Sequence, residues 1–134
     1  MRMRTTLRIA AVCTALVLPI EPVWAHHSMT AHFALEKPLT LRGTVTKLVW
    51  TNPHPWIYLD VKGPDGHVDT WRIETGTTGR MARRGLKKTD LLPGVEIVVG
   101  GYAARDGELK AAGMIVTFPN REASGQEASF ALGR

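Results

Sequence analysis

Apolar and polar residues alternate along much of this chain, and the alternation predicts strands before any motif is considered. In the first run, residues 39–50, Leu39, Leu41, Gly43 and Val45 alternate with Thr40, Arg42, Thr44 and Thr46. The phase then slips, and Leu48 and Trp50 take the apolar role. A slip beside Gly43 predicts a bulge or sharp coil in one long strand. The second strand is 56–62, W-I-Y-L-D-V-K. Gly63-Pro64-Asp65-Gly66 follows it and suits a type I turn closed by a glycine at positive φ, the three-residue hairpin loop. That turn dictates a register. Ile57 should face Ile73, Leu59 Trp71 and Val61 Asp69, while Trp56 meets Glu74, Tyr58 meets Arg72 and Asp60 meets Thr70. One face of the hairpin is then core and the other is aromatic and charged.

Residues 76–92 break the strand pattern. Thr78 is placed to cap a short helix over 79–84, which Gly85 would end. Pro93-Gly94 makes a turn, and 95–104 reads as a strand with Val95, Ile97 and Val99 on one face. Gly100-Gly101 predicts a bend in it. A turn at 105–108 leads to the last strand, 111–118. The expected fold is therefore all-β with one short helix: a five-stranded OB-like barrel with the helix between strands 3 and 4. A five-stranded sandwich-like meander is the alternative. A lone open sheet would leave its edges unprotected. The barrel domain spans 39–119. An extended His-containing arm, 26–38, precedes it. Residues 120–134, rich in Gly, Ser, Glu and Ala, read as a disordered tail.

The start of the chain changes the setting. Arg2, Arg4 and Arg8 precede an apolar run over 9–20, and Val23-Trp24-Ala25 resembles a cleavage site. Residues 1–25 therefore read as a signal peptide, and the protein as periplasmic or secreted. The run is shorter than the roughly 20 residues that span a bilayer, so no transmembrane span is expected after cleavage. An uncleaved anchor is the rival reading. Val12 before Cys13 argues against a lipoprotein, and the separated arginines against a twin-arginine route. The single Cys falls within the signal, which leaves no disulfide for an oxidising compartment. The formal net charge of +5 is modest. Together with export it speaks against a nucleic-acid partner.

Several elements together resemble a known family. They are the start A-H-H-S, the T-N-P-H-P-W joint, a W-x-x-E element at 71–74, R-R-G at 83–85 and P-G-x-x-x-x-V-x-G-Y at 93–102. The combination resembles a family of small exported bacterial proteins known only as a domain of unknown function. The resemblance covers most of 25–120. It implies export and supplies no activity. The Thr-Thr pair after Gly76 and the long tail depart from it.

The candidate chemistry concentrates at residues 50–58, W-T-N-P-H-P-W-I-Y. Pro53 and Pro55 restrict the residues before them and present His54 rigidly. The loop between strands 1 and 2 is a usual wall of an OB ligand site. Asn52, His54, Trp56, Tyr58, Arg72 and Glu74 are therefore the candidate ligand-binding residues. The bland reading makes the joint a structural corner, with Trp50 and Trp56 plugging one end and Arg72–Glu74 a solvated pair.

The histidines offer a second chemistry. Cleavage after Ala25 would give His26 a free amine beside its imidazole, a chelate that suits Cu(II). His26, His27, His32 and His54 are the candidate metal ligands, and copper is the candidate cofactor. The bland reading is a polar, flexible start. Arg80, Arg83, Arg84, Lys87 and Lys88 form a basic cluster that suits an anionic surface or, more plainly, a solvated helix face. No nucleophile–base pair or carboxylate pair is joined by a motif, so no catalytic residue is assigned. The expected function is an exported binding module for a small ligand or an envelope protein, held on the aromatic and charged face of strands 2–3. Copper handling is one alternative, and a structural envelope protein without a small ligand is another.

Overall fold

The computed structural model describes residues 29–126 and 128–133. The expected signal peptide, His26 and His27 lie outside the described residues. The element order is α1 (Met29–His32), β1 (Phe33–Val49), β2 (Trp56–Lys62), β3 (Val68–Glu74), α2 (Thr78–Arg83), a 3-10 helix (Lys88–Leu91), β4 (Glu96–Ala104), β5 (Lys110–Thr117), α3 (Pro119–Ala123) and β6 (Ser129–Ala131). The protein is mostly antiparallel β-sheet with a few short helices, and α2 falls between β3 and β4 as expected. Two parts of the expectation are corrected. The sheet has six strands rather than five, and three short α-helices stand among the described residues rather than one.

The β2–β3 hairpin forms as its turn dictates. Gly66 sits at φ 85° and donates its N–H to Gly63 O at 3.0 Å, while Gly63 N–H reaches His67 O at 2.8 Å. All six expected pairs are present, from Trp56–Glu74 to Val61–Asp69. Ile57, Leu59 and Ile73 are wholly buried, whereas Trp56, Tyr58 and Glu74 are half-buried on the opposite face.

β1 is shared between the two ends of the sheet. Its earlier part pairs with β4 and its later part with β2, and Thr44 pairs with both Glu96 and Asp60. The phase slip is a bulge at Thr46: Val45 pairs with Leu59, but Lys47 pairs with Tyr58. It lies just beyond Gly43 and swings Leu48 and Trp50 onto the core. Gly43 has its own role. A Cβ there would stand 2.2 Å from the Asp60 carbonyl oxygen, so only glycine lets β1 and β2 approach this closely. A second bulge lies between β4 and β5: Gly100 pairs with Ile115 but Gly101 with Gly113, so the extra residue is Met114 of β5.

The strand order is β3-β2-β1-β4-β5-β6, and β3 also pairs with β5 in parallel through Arg72–Lys110, Ile73–Ala111 and Glu74–Ala112. The enclosed core takes the inward residues of the strands together with Met81 of α2, Leu86 and Leu91. Thr77, one residue before the expected cap, accepts from Arg80 N–H, and Gly85 at φ 88° ends α2.

Both ends differ from their sequence expectation. β1 begins at Phe33, inside the expected arm, because Phe33 has somewhere to go: it is buried against Ala104 and Ala112, beside Met29 and Tyr102. Arg105 ties this segment down. It donates through Nε to Thr30 O at 2.8 Å, through its backbone N–H to His32 O at 2.9 Å, and through its guanidinium to Glu36 at 2.9 and 3.1 Å. The Glu36 carboxyl is held below the usual range by a backbone N–H and then by Arg105. The expected disordered tail at 120–134 instead carries α3 and β6. Its overall composition hides Phe130 and Leu132, which are both buried in the core. Arg121 lies over the Phe118 and Phe130 rings, 4.3 and 5.8 Å from their centroids, and pairs with Asp90. Leu132 N–H donates to Met114 O at 2.9 Å, and Gly76 N–H donates to Leu132 O at 2.7 Å.

Candidate functional site

The loop between β1 and β2 is stitched to the chain that follows β3. Thr75 is buried, and both its N–H and its hydroxyl donate to Pro55 O at 3.1 Å. His54 Nδ1 lies 2.9 Å from Thr75 O. A carbonyl only accepts, so Nδ1 carries the proton in this hydrogen bond. Asn52 Oδ1 accepts from Thr78 Oγ1 at 2.8 Å, and the Asn52–Pro53 peptide bond is cis. Asn52 and His54 are thus anchored by the polypeptide itself, and part of their role is to hold the joint.

The outer face of the hairpin carries the other four candidates. Lys47, Tyr58, Arg72 and Lys110 are paired in succession across β1, β2, β3 and β5, so they form one row. Lys47 Nζ lies 5.2 Å from the centroid of the Tyr58 ring. Arg72 Nη2 donates to Glu108 Oε2 at 2.6 Å, and its backbone N–H donates to Leu109 O at 2.9 Å. Lys110 Nζ reaches Asp106 Oδ2 at 3.2 Å and Glu108 Oε2 at 3.4 Å. A hydrogen bond from Glu108 N–H, then the Lys110 ammonium, holds the Asp106 carboxyl below its ordinary value; Asp106 in turn raises Lys110. Trp56 and Glu74 pair in the neighbouring row. The row therefore places an aromatic ring among three cations, with the β4–β5 turn supplying the carboxylate partners of Arg72 and Lys110.

A cleft of about 280 Å³, counted to its open mouth, lies beside this face. Its walls include Met29, Phe33, His54, Glu74, Met114 and Gly133. Of the residues expected from sequence, it brings together His54 and Glu74. Asn52, Trp56, Tyr58 and Arg72 are not on its walls. His32 ends α1, is exposed and is not on its walls either. Among the described residues, no three His, Cys, Asp or Glu side chains gather as a metal site. No helix among them is long and apolar enough to cross a membrane.

Sequence reasoning missed Lys47, Lys110, Met29 and Met114. The phase slip held a signal for Lys47, because the bulge at Thr46 is what brings it opposite Tyr58. Lys110 reaches the row through a parallel pairing that no turn announces. Met29 and Met114, far apart in sequence, line the same cleft as His54. A family model described as a family of unknown function (DUF6152) matches residues 15–114. No curated protein and no solved structure matches the chain.

Proposed function

Because this chain belongs to DUF6152, a family of unknown function that lends it no activity, we propose from its geometry alone that it is an exported binding module. The site is the outer face of β2–β3, and the occupant is an anionic ligand or an acidic segment of an envelope partner. The row Lys47–Tyr58–Arg72–Lys110 carries this reading. It offers cations for carboxylates and a ring for stacking on one side of a rigid hairpin. Glu108 sits on Arg72 where a ligand carboxylate would sit. Exchanging one exposed ion pair for another costs little, since such pairs are worth about 0–1 kcal/mol.

The return of β3 to β5 supports reading the sheet as a closed OB-type barrel. The strands 2–3 face and the loops flanking it are where OB folds take extended ligands. The charged start and apolar run within 1–25 support export to the periplasm or beyond. Two polyanions of different backbone, hexaglutamate and a galacturonate hexamer, test the reading by calorimetry on the exported protein. At least one should bind, and Arg72→Ala or Tyr58→Ala should weaken it about tenfold with the melting temperature nearly unchanged. Affinity unchanged from the native protein in both variants, or binding of neither polyanion, would sink the proposal.

Copper handling by the mature amino terminus is the second reading. It is supported by Met29, which lies three residues after His26 and lines the cleft that His54 also lines. Cu(II) affinity that falls on His26→Ala supports it; unchanged affinity ends it.

A further inference from the structure

The arginines of the described residues fall into two groups. Those outside the stretch 75–95 each stand against a carboxylate: Arg42 on Glu96, Arg72 on Glu108, Arg105 on Glu36 and Arg121 on Asp90. Those inside it, Arg80, Arg83 and Arg84, pair with no carboxylate among the described residues, and neither do Lys87 and Lys88. The cause is in the sequence, where these cations share the stretch with a single acid, Asp90. Asp90 is already committed: it accepts from the Lys87 backbone N–H at 2.7 Å and from Arg121.

The stretch is held as a firm ledge. Thr77 caps α2, and Met81, Leu86 and Leu91 are buried in the core. What lies between these anchors faces outward. Arg83, Arg84, Lys87 and Lys88 are exposed, and Arg80 is half-buried. Arg80, Arg83 and Arg84 stand at the three- and four-residue spacing that shares one face of a helical turn. Arg84 gives one guanidinium N–H to Gly133 O at 3.1 Å, which leaves its charge uncompensated. Leu92, four residues after Lys88, is 47% exposed.

We propose that residues 80–92 dock the protein on an anionic phospholipid surface, with the cations on the headgroups and Leu92 at the apolar boundary. Each Lys or Arg brought to such a surface strengthens binding about fivefold. Here no carboxylate has to be displaced first. The Tyr58–Arg72 row differs, because Glu108 and Asp106 compensate Arg72 and Lys110 and leave little net field for a plane of charge. A short soluble polyanion meets only a few of the ledge cations at once, whereas a headgroup plane meets all of them. An exposed leucine beside cations suits the same interface, where apolar contact adds to charge. The ledge needs neither the row's ligand nor a metal, so it stands or falls apart from both readings above.

The experiment is vesicle flotation of the exported protein, with phosphatidylcholine alone and with about one third phosphatidylglycerol. The native protein should float only with the anionic vesicles, and should leave them when salt rises from about 0.05 M to about 0.5 M. Arg83→Gln with Lys87→Gln and Lys88→Gln should weaken binding roughly a hundredfold with the melting temperature unchanged. Leu92→Gln should weaken it severalfold at either salt. Lys37→Gln with Arg42→Gln and Lys62→Gln removes equal charge elsewhere and should stay near the native affinity. Failure to float with anionic vesicles, or equal flotation with neutral ones, would overturn the proposal. So would undiminished binding in the 83/87/88 or Leu92 variants, or an equal loss in the 37/42/62 variant. A short DNA duplex bound more tightly than the anionic vesicles would overturn it in favour of a nucleic-acid face.

Discussion

The hairpin β2–β3 and the two terminal segments are held to the sheet by different means. In the hairpin, residues adjacent in sequence make both strands, and a four-residue turn locks their register. The terminal segments depend on partners far along the chain: Phe33 on Ala104 and Ala112, Arg105 on Thr30, His32 and Glu36, and Leu132 on Met114 and Gly76. Each candidate surface inherits one of these characters. The centre of the row, Tyr58 and Arg72, stands on the hairpin, with Lys47 of β1 and Lys110 of β5 at its ends, whereas the cleft is walled by Met29, Phe33 and Gly133 together with residues of β3 and β5. The centre of the row should therefore tolerate loosening of the ends, and the cleft should not.

The largest test of this contrast is Leu132→Ala. The side chain is fully buried in the core, so the substitution should cost about 2–5 kcal/mol in denaturant unfolding and should disturb the cleft before it affects the row. Gly43→Ala attacks the other region. Its Cβ would strike the Asp60 carbonyl on the neighbouring strand, with a cost of about 1–3 kcal/mol from forced strand separation. Here the row should suffer first, because Lys47 and Tyr58 belong to those two strands. Comparing chemical shifts of the row and the cleft in both variants measures the contrast directly.

Arg72→Ala should change stability by less than about 1 kcal/mol, because its ion pair with Glu108 is exposed, while weakening the row's ligand. The smallest effect is on pH. Asp106 is depressed by the Glu108 N–H and then by Lys110, so its contribution is fully present above the ordinary aspartate value. It is lost as pH falls through the lower folded value. A carboxyl-detected NMR titration should place the Asp106 midpoint below the ordinary aspartate value, with the β4–β5 turn loosening only after it. A midpoint at the ordinary value would remove the carboxylate–ammonium anchor from the description of the row.

The contrast also explains how much was legible in the sequence. The hairpin was readable to the residue, since Pro64, Asp65 and Gly66 specify a turn and a turn specifies pairs. The helix after β3 was readable for the same local reason. β6 was not, because Phe130 and Leu132 are two apolar positions in a stretch whose average is polar, and their burial depends on a core built elsewhere. The start of β1 at Phe33 was hidden in the same way. At the site, Trp56, Tyr58, Arg72 and Glu74 followed from the register. Lys110 did not, because β3–β5 is a parallel pairing between strands separated by α2 and β4. His54 was singled out by its two flanking prolines, but its tie to Thr75 O lies in tertiary structure.

The central claim is that the row across β1, β2, β3 and β5 is the binding surface. Its most direct test is backbone and side-chain NMR mapping of the exported protein during titration with hexaglutamate and with the galacturonate hexamer. The account predicts that the largest shifts fall on Lys47, Tyr58, Arg72 and Lys110, with Glu108 released from Arg72. Shifts centred instead on the basic segment at 80–88, or no saturable shifts with either polyanion, would contradict it.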